Sequence, residues 1–292
     1  MSGTSSITAA IYALDLFGKR VAVSSYNYVA CVNQYKAFCK PIFVDCDENS
    51  LIDIEKIPND CEAVMLVNYW GNVVDYDKVK ENYKGKIIAD CSQSLGAKYK
   101  GKLDGYFGDI SLFSFGGQKP VGTRGFTGAI ATDDDAVAHR IDCAINQGKA
   151  GEDRELPIEM LGFRSTPQEF QCGMLSVGMK YWKKWKDDRT KIAKHIIDNL
   201  KDLPLRFLKS NDNCEPSYFK LGLEIDDRDN FLKFMQNNGV DVQIGFFDNF
   251  SSMWGSGEPM PMTERLNKRT ASLPLSPWFT DVEVETIIDS VK

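Results

Sequence analysis

Short, almost unbroken apolar runs punctuate the first part of the chain. They are RVAVSS (20–25), PIFVD (41–45), EAVMLVN (62–68), KIIAD (86–90), DISLFSF (109–115) and TGAIAT (127–132). Val, Ile and Phe dominate them, and none alternates cleanly with polar residues, which is the pattern of strands buried on both faces. Between the runs lie stretches with helical spacing: SSITAAIYALDLF, YVACVNQYKAFC and YDKVKENYK. Strand and helix alternating in this way predict an α/β unit with a mainly parallel sheet.

From residue 133 the pattern changes. DDDAVAHRIDCAINQG predicts a helix with acidic residues in its first turn, where the helix dipole favours them. KAGEDRELP predicts a mobile loop. Residues 166–200 keep apolar positions at helical spacing, as one long helix or two, up to a stop near Pro204. The remainder sets strand-like YFKLGLEI and VDVQIGFF around helical RDNFLKFMQNNG. The expected organisation is a large α/β domain over 1–185 and a small C-terminal α+β domain over 186–292.

Composition narrows the class. Of 292 residues, 43% are apolar and 26% charged, enough for a sizeable core and too apolar for disorder. The net charge of −6, with no basic stripe, argues against nucleic acid as a partner. No apolar run is long enough to span a bilayer, and MSGTSSITAA lacks the regions of a signal peptide, so a cytoplasmic location is expected. Eight cysteines without a C-x-x-C pair read as reduced thiols. His139 and His195 both lie in charged helical segments, which gives little support to a histidine triad or a zinc site, and no metal is expected.

Candidate chemistry concentrates at the ends of the strand-like runs. In SLFSFGGQKPVGTRG an apolar run stops at a glycine-rich turn carrying Lys119. The spacing excludes a nucleotide P-loop, because Pro120 follows the lysine and no glycine directly precedes it. A solvated turn lysine and an amine able to form a Schiff base both remain open. Asp90 ends the run IIAD, where α/β sheets present ligand-binding groups; it reads either as a helix N-cap or as the partner of a bound cation. Gln93 follows within donor reach of the same ligand. Gly3, Thr4 and Ser5 open a helix and read as ordinary capping or as an anion site. Tyr26 or Tyr28 reads as a core aromatic or as a platform for a flat ring.

Taken in order, these segments resemble the DegT/DnrJ/EryC1/StrS family of pyridoxal-phosphate-dependent sugar aminotransferases. SGTSSITAAIYAL is similar to the family's opening S-G-T segment, and VSSYNYVACVN to its TF-VA segment. PIFVDCDENS carries V-D-x-D, and LVNYWGN stands at a V-H-x-x-G run. The most specific match is IADCSQSLGAKYKGKLDGYFGDISLFSFGGQKP, with D-x-x-Q-x-x-G, then F-G-D, then S-F-x-x-x-K. MLGFRSTPQEFQCGML and SLPLSPWFTDVEVETII extend the likeness to nearly the whole chain. The resemblance implies the fold-type-I, aspartate-aminotransferase-like architecture: a mixed, mainly parallel sheet plus a small α+β domain. It implies that Lys119 forms the Schiff base, that Asp90 pairs with the pyridine nitrogen, and that Gln93 lies near the ring hydroxyl. Gly3, Thr4, Ser5 and Ser114 match phosphate positions, and Tyr28 the stacking aromatic. It further implies a homodimer with shared active sites, a nucleotide-linked keto sugar as acceptor and glutamate as amino donor. Lysine at 119, rather than the histidine of sugar-dehydrating relatives, favours amino transfer.

Four features depart from the family pattern. The S-G-T segment begins at residue 2, whereas relatives carry several tens of residues before it that normally help form the dimer and the substrate pocket; a lost arm and a compact natural form both remain open. KPVGTRGFTGAI has Arg124 and no carboxylate where a G-E-G-G turn is usual. Arg164 stands where an asparagine commonly reaches the neighbouring subunit's phosphate; it reads as a phosphate ligand through two parallel bonds or as a surface residue. FDNFSSMWGSGEPMP does not follow the pocket-forming pattern, so the sugar cannot be transferred from relatives. The readings to be separated are an aminotransferase, a non-catalytic relative, and a cofactor enzyme of dehydrating or epimerising chemistry.

Overall fold

The structure is a computed structural model that describes residues 1–151, 157–245, 250–255 and 257–292. All six apolar runs form strands of one sheet, each within a residue or two of the expected bounds: β1 (Arg20–Ser24), β2 (Lys40–Val44), β3 (Ala63–Val67), β4 (Lys86–Asp90), β7 (Ile110–Ser114) and β8 (Gly128–Ala131). A hairpin of β5 (Lys98–Tyr99) and β6 (Lys102–Leu103) lies between β4 and β7 in the chain. The sheet order is β2-β1-β3-β4-β7-β8. The first five strands run parallel, and β8 returns antiparallel to β7 with Ser114 opposite Gly128.

The continuous apolar runs are explained by two cores, one on each face. Val21, Val23, Met65 and Ile88 join the cluster that includes Ile7 and Ile11 of helix α1 (Gly3–Ala13) and Val32 and Tyr35 of α2 (Val29–Phe38). Their neighbours Ala22, Val64, Leu66, Ile87 and Ala89 point the other way, toward Tyr76 and Val79 of α3 (Tyr76–Asn82). Successive side chains of a strand face opposite sides, so both must be apolar when both are covered. Each fully buried large side chain contributes on the order of 1.5–3 kcal/mol.

Helix α1 ends earlier than its apolar pattern suggests. Ser2 and Ser5 cap its start reciprocally, and Asp15, at φ 51°, breaks it after Ala13. The acidic first turn near 133 begins α4 (Asp135–Ile145), where Asp134 accepts from the N–H groups of Ala136 and Val137. The long helical stretch resolves into two helices, α5 (Glu169–Gly178) and α6 (Trp182–Leu200). The expected loop KAGEDRELP falls largely on residues 152–156, outside the described residues.

A third core gathers residues 193–291. In it, α6, α7 (Arg228–Asn237) and α10 (Asp281–Val291) pack on a sheet of order β12-β13-β11-β9. Its strands are β9 (Arg206–Phe207), β11 (Leu221–Glu224), β12 (Gln243–Ile244) and β13 (Thr270–Leu273); β10 (Cys214–Glu215) instead pairs with β5. Two short helices, α8 (Phe250–Trp254) and α9 (Pro261–Arg269), precede β13. The V-D-x-D motif ties these parts together. Buried Asp45 accepts from the Met262 and Thr263 N–H groups (3.0 and 2.8 Å), anchoring the start of α9 to the end of β2. Asp47 accepts from the Asn49 and Leu51 N–H groups and shapes the turn that follows. No described helix is long and apolar enough to cross a membrane.

Candidate active site

Four parallel strands deliver their C-terminal ends to one cavity of about 540 Å³. This is where open α/β sheets bind ligands, because loops diverge there and leave room. Tyr28 and Cys31 follow β1, Tyr69 and Trp70 follow β3, Asp90 to Gln93 close β4, and Ser114 to Lys119 close β7. Phe219, Lys220, Ile244 and Gly245, from the C-terminal part, form the remaining wall.

Asp90 is 3% exposed. Its Oδ1 accepts the Ser92 N–H at 2.9 Å, and its Oδ2 accepts the Cys31 thiol at 3.4 Å. Burial, together with the charge of Asp90, pushes the Cys31 thiol far up, so it stays protonated and serves as that donor. Lys119 lies in the same cavity with Nζ 5.3 Å from the centre of the Phe219 ring. Burial draws its pKa below the ordinary lysine value, against the opposing pull of Asp90 and Cys31. The result is a desolvated amine in the field of a buried carboxylate. The loop that carries it folds back tightly. The Lys119 N–H donates to the Gly116 carbonyl and the Thr123 N–H to the Phe115 carbonyl, and a Cβ on Gly122 would stand 2.6 Å from the Gly117 carbonyl oxygen. Glycine is required there because the backbone occupies the space of a side chain.

The N-terminus of α1 enters the cavity from one side, with Ser2, Gly3 and Thr4 on its wall. Gly3 lies so close to β7 that an added Cβ would meet the Ser114 Cβ at 2.8 Å. Helix start and Ser114 hydroxyl thus form one surface of N–H and O–H donors, reinforced by the helix dipole. Ser5 is engaged differently: its Oγ bonds the Ser2 N–H at 2.6 Å in the capping box, and Ser2 rather than Ser5 reaches the cavity wall.

Of the two tyrosines considered from the sequence, Tyr26 is fully buried against Tyr69, and Tyr28 lines the cavity. Gln93 also lines it, and its Oε1 accepts the Trp70 N–H at 3.0 Å. Arg164 is exposed, pairs with Asn146 in an isolated bridge, and is not on the cavity wall of its own chain. Sequence reasoning did not single out Cys31, Trp70, Phe219 or Lys220. Trp70 carried a signal in LVNYWGN; its backbone is in the left-handed region at φ 62°, an unusual conformation for a bulky residue. Phe219 and Lys220 had no signal, since only tertiary packing brings them near residue 119. Away from the cavity, His139 pairs with Glu159 (2.7 Å) with Cys143 close by, and His195 pairs with Glu285 (2.8 Å).

The donor set suits pyridoxal phosphate. An amine able to condense with an aldehyde, a buried carboxylate for a ring N–H, an aromatic at the wall and a helix N-terminus for a phosphate converge on one cavity.

Comparison with known proteins agrees. The family model described as the DegT/DnrJ/EryC1/StrS aminotransferase family matches residues 1–292. A dTDP-3-amino-3,6-dideoxy-alpha-D-galactopyranose transaminase of Aneurinibacillus thermoaerophilus is 28% identical, over 99% of this chain and 83% of that protein. Among solved structures, DesV of S. venezuelae superposes with a TM-score of 0.92 at 24% identity, covering 99% of this chain and 82% of that one. The sugar aminotransferase Spr1654 of Streptococcus pneumoniae, described as putative and solved in PLP and PMP forms, has a TM-score of 0.89 at 18% identity, covering 100% and 84%. Matched along its whole length, with a cavity chemically suited to the cofactor, the chain belongs to the DegT/DnrJ/EryC1/StrS aminotransferase family and is a pyridoxal-phosphate-dependent sugar aminotransferase.

Proposed function

We propose that the protein moves an amino group from glutamate to a nucleotide-linked keto sugar, with Lys119 as the residue that carries the cofactor and transfers the proton. The observation that carries this reading is the desolvated Lys119 amine sharing one cavity with buried Asp90. The acceptor class is supported by relatives: besides the dTDP-sugar transaminase, a GDP-perosamine synthase of Escherichia coli O157:H7 is 40% identical over 149 residues, 48% of this chain and 41% of that protein.

Bound in the cavity, pyridoxal phosphate supplies an aldehyde carbon that takes up amino groups and a ring that withdraws electrons from the carbon–hydrogen bond being broken. Asp90 keeps the ring nitrogen protonated, because a buried carboxylate needs a cationic partner. Gly3 and Thr4 N–H groups and the Ser114 hydroxyl would hold the phosphate. Tyr28 would offer its ring as a stacking surface. Gln93 has its Oε1 occupied by Trp70, which leaves its amide N–H groups to donate to the ring hydroxyl. Lys119 would hold the cofactor at rest and, when freed, would take up and give back a proton at Nζ; its lowered pKa favours the neutral form this requires. The working form is a homodimer. Exposed Phe170, Met174 and Val177 recur along one face of α5, and Arg164 serves the neighbour's phosphate rather than its own.

Borohydride reduction followed by peptide mapping tests the reading directly. The adduct is expected on Lys119, with loss of the visible absorption band in Lys119→Ala and bleaching of the wild-type band by glutamate as 2-oxoglutarate forms. An adduct on another residue, or none in a folded, cofactor-saturated sample, would refute it.

A further inference from the structure

A second cavity, of about 420 Å³, opens on the other side of the Lys119 loop. It shares Gly117, Gln118, Lys119, Phe219 and Lys220 with the first, so the reactive amine stands at the junction of the two. On its far wall is Arg189 of α6, only 5% exposed. Among the described residues its Nε has no hydrogen-bond partner, and no acid forms an ion pair with the guanidinium. Burial without compensation draws its pKa down to about 10, which leaves it charged at neutral pH. Lys119, Lys220 and Arg189 oppose a single carboxylate on the cavity wall, exposed Asp241. Lys220 is itself drawn down by burial and by the charge of Lys119.

An uncompensated buried guanidinium is expensive for a folded chain, and it is satisfied when an anion supplies two acceptor oxygens to its planar fork. The anion must be small, because Trp185, Trp278 and Phe279 crowd the same space. It must also deliver something to Lys119. Resting on the amino-donor reading above, we propose that Arg189 anchors a carboxylate of the donor amino acid, a five-carbon dicarboxylate being the fitting class, and so makes the second cavity the donor's carboxylate site. The nucleotide sugar then has the first cavity for itself, and the two substrates are sorted by charge geometry rather than by competition for one surface.

The test is calorimetric titration of the holoenzyme with glutarate, which has both carboxylates of the donor and no amino group to react. Wild type is expected to bind it. Arg189→Met should weaken binding on the order of 10- to 100-fold, the size of a lost charge-assisted pair. Arg189→Lys should fall between the two, since it keeps the charge and loses the fork; it also guards against a packing defect in the Met variant. The lysine–cofactor absorption band should be unchanged in both. Equal glutarate binding in wild type and Arg189→Met, or no binding to a wild type that carries the band, overturns the proposal. So does binding of inorganic phosphate in place of glutarate with the same dependence on Arg189. A wild type without the band refutes the Lys119 reading instead, so the two failures are distinguishable.

Discussion

At the scale of residues, the chemistry depends on a few charges kept out of water. Asp90→Asn preserves the shape and the acceptor for Ser92 N–H but removes the charge that would sustain a protonated ring nitrogen. Amino transfer from glutamate should fall about 100-fold or more in single turnovers, the scale of losing one preorganised electrostatic group, while the cofactor stays attached at Lys119. A second carboxylate makes a purely structural prediction. Burial raises Asp47 from 3.8 to about 6. A raised acid favours the protonated fold, so this contribution is fully present below about pH 4 and is lost as pH rises through about 6. Asp47→Asn keeps the acceptor for Asn49 and Leu51 without the charge. It should be more stable than wild type by up to ~3 kcal/mol at pH 8, an advantage that shrinks toward zero near pH 4 in thermal melts. Asp90, Gln93 and Lys119, which share one cavity, stood out in the sequence because each ends or closely follows a strand-like run, and strand ends are where such sheets expose ligand groups; Ser114, on the same wall, was named through the family resemblance alone. Arg189 was not, because in the sequence it is one basic residue in a charged helix, and its burial without an ion pair among the described residues exists only after packing.

At the scale of elements, β1, β2, β3, β4 and β7 were legible because each sends side chains to both cores and so carries an unbroken apolar run, while the edge strand β8 joins only the first core, through Ile130. The two-residue strands β9 and β10 were not, since two residues give no period to read, whereas β12 lies within the strand-like VDVQIGFF. The tie between Asp45 and the start of α9 spans 217 residues and has no local signature. The proposed boundary at 185/186 falls inside α6, a helix whose N-terminal part presents Trp185 to the second cavity and whose later turns join the third core. The approach of α1 to β7 is an element-level contact with a sharp test. In Gly3→Ala the new methyl must displace Ser114, which overpacks the joint by ~1–3 kcal/mol and tilts the donor surface for phosphate. Absorbance titration should give a cofactor dissociation constant about tenfold higher, and the melting temperature should drop by a few degrees.

At the scale of the whole molecule, one chain supplies the amine, the carboxylate and the helix start, yet Arg164 is exposed and off the wall of its own cavity. The apolar face of α5 lies a few residues further along the chain from it. Both observations fit a second copy that covers α5 and receives Arg164 at its own phosphate site. Subunit mixing separates this arrangement from one in which Arg164 acts within its chain. Lys119→Ala and Arg164→Ala homodimers should each be nearly inactive. When they are mixed and exchanged, a hybrid dimer holds one site with an intact lysine from one chain and an intact arginine from the other. Random pairing makes half of the dimers hybrids, each with one working site, so activity should return to roughly one quarter of wild type. If Arg164 serves its own chain, every site in the hybrid lacks one of the two residues and mixing restores nothing. If Arg164 has no part in the site, the Arg164→Ala homodimer retains activity from the start.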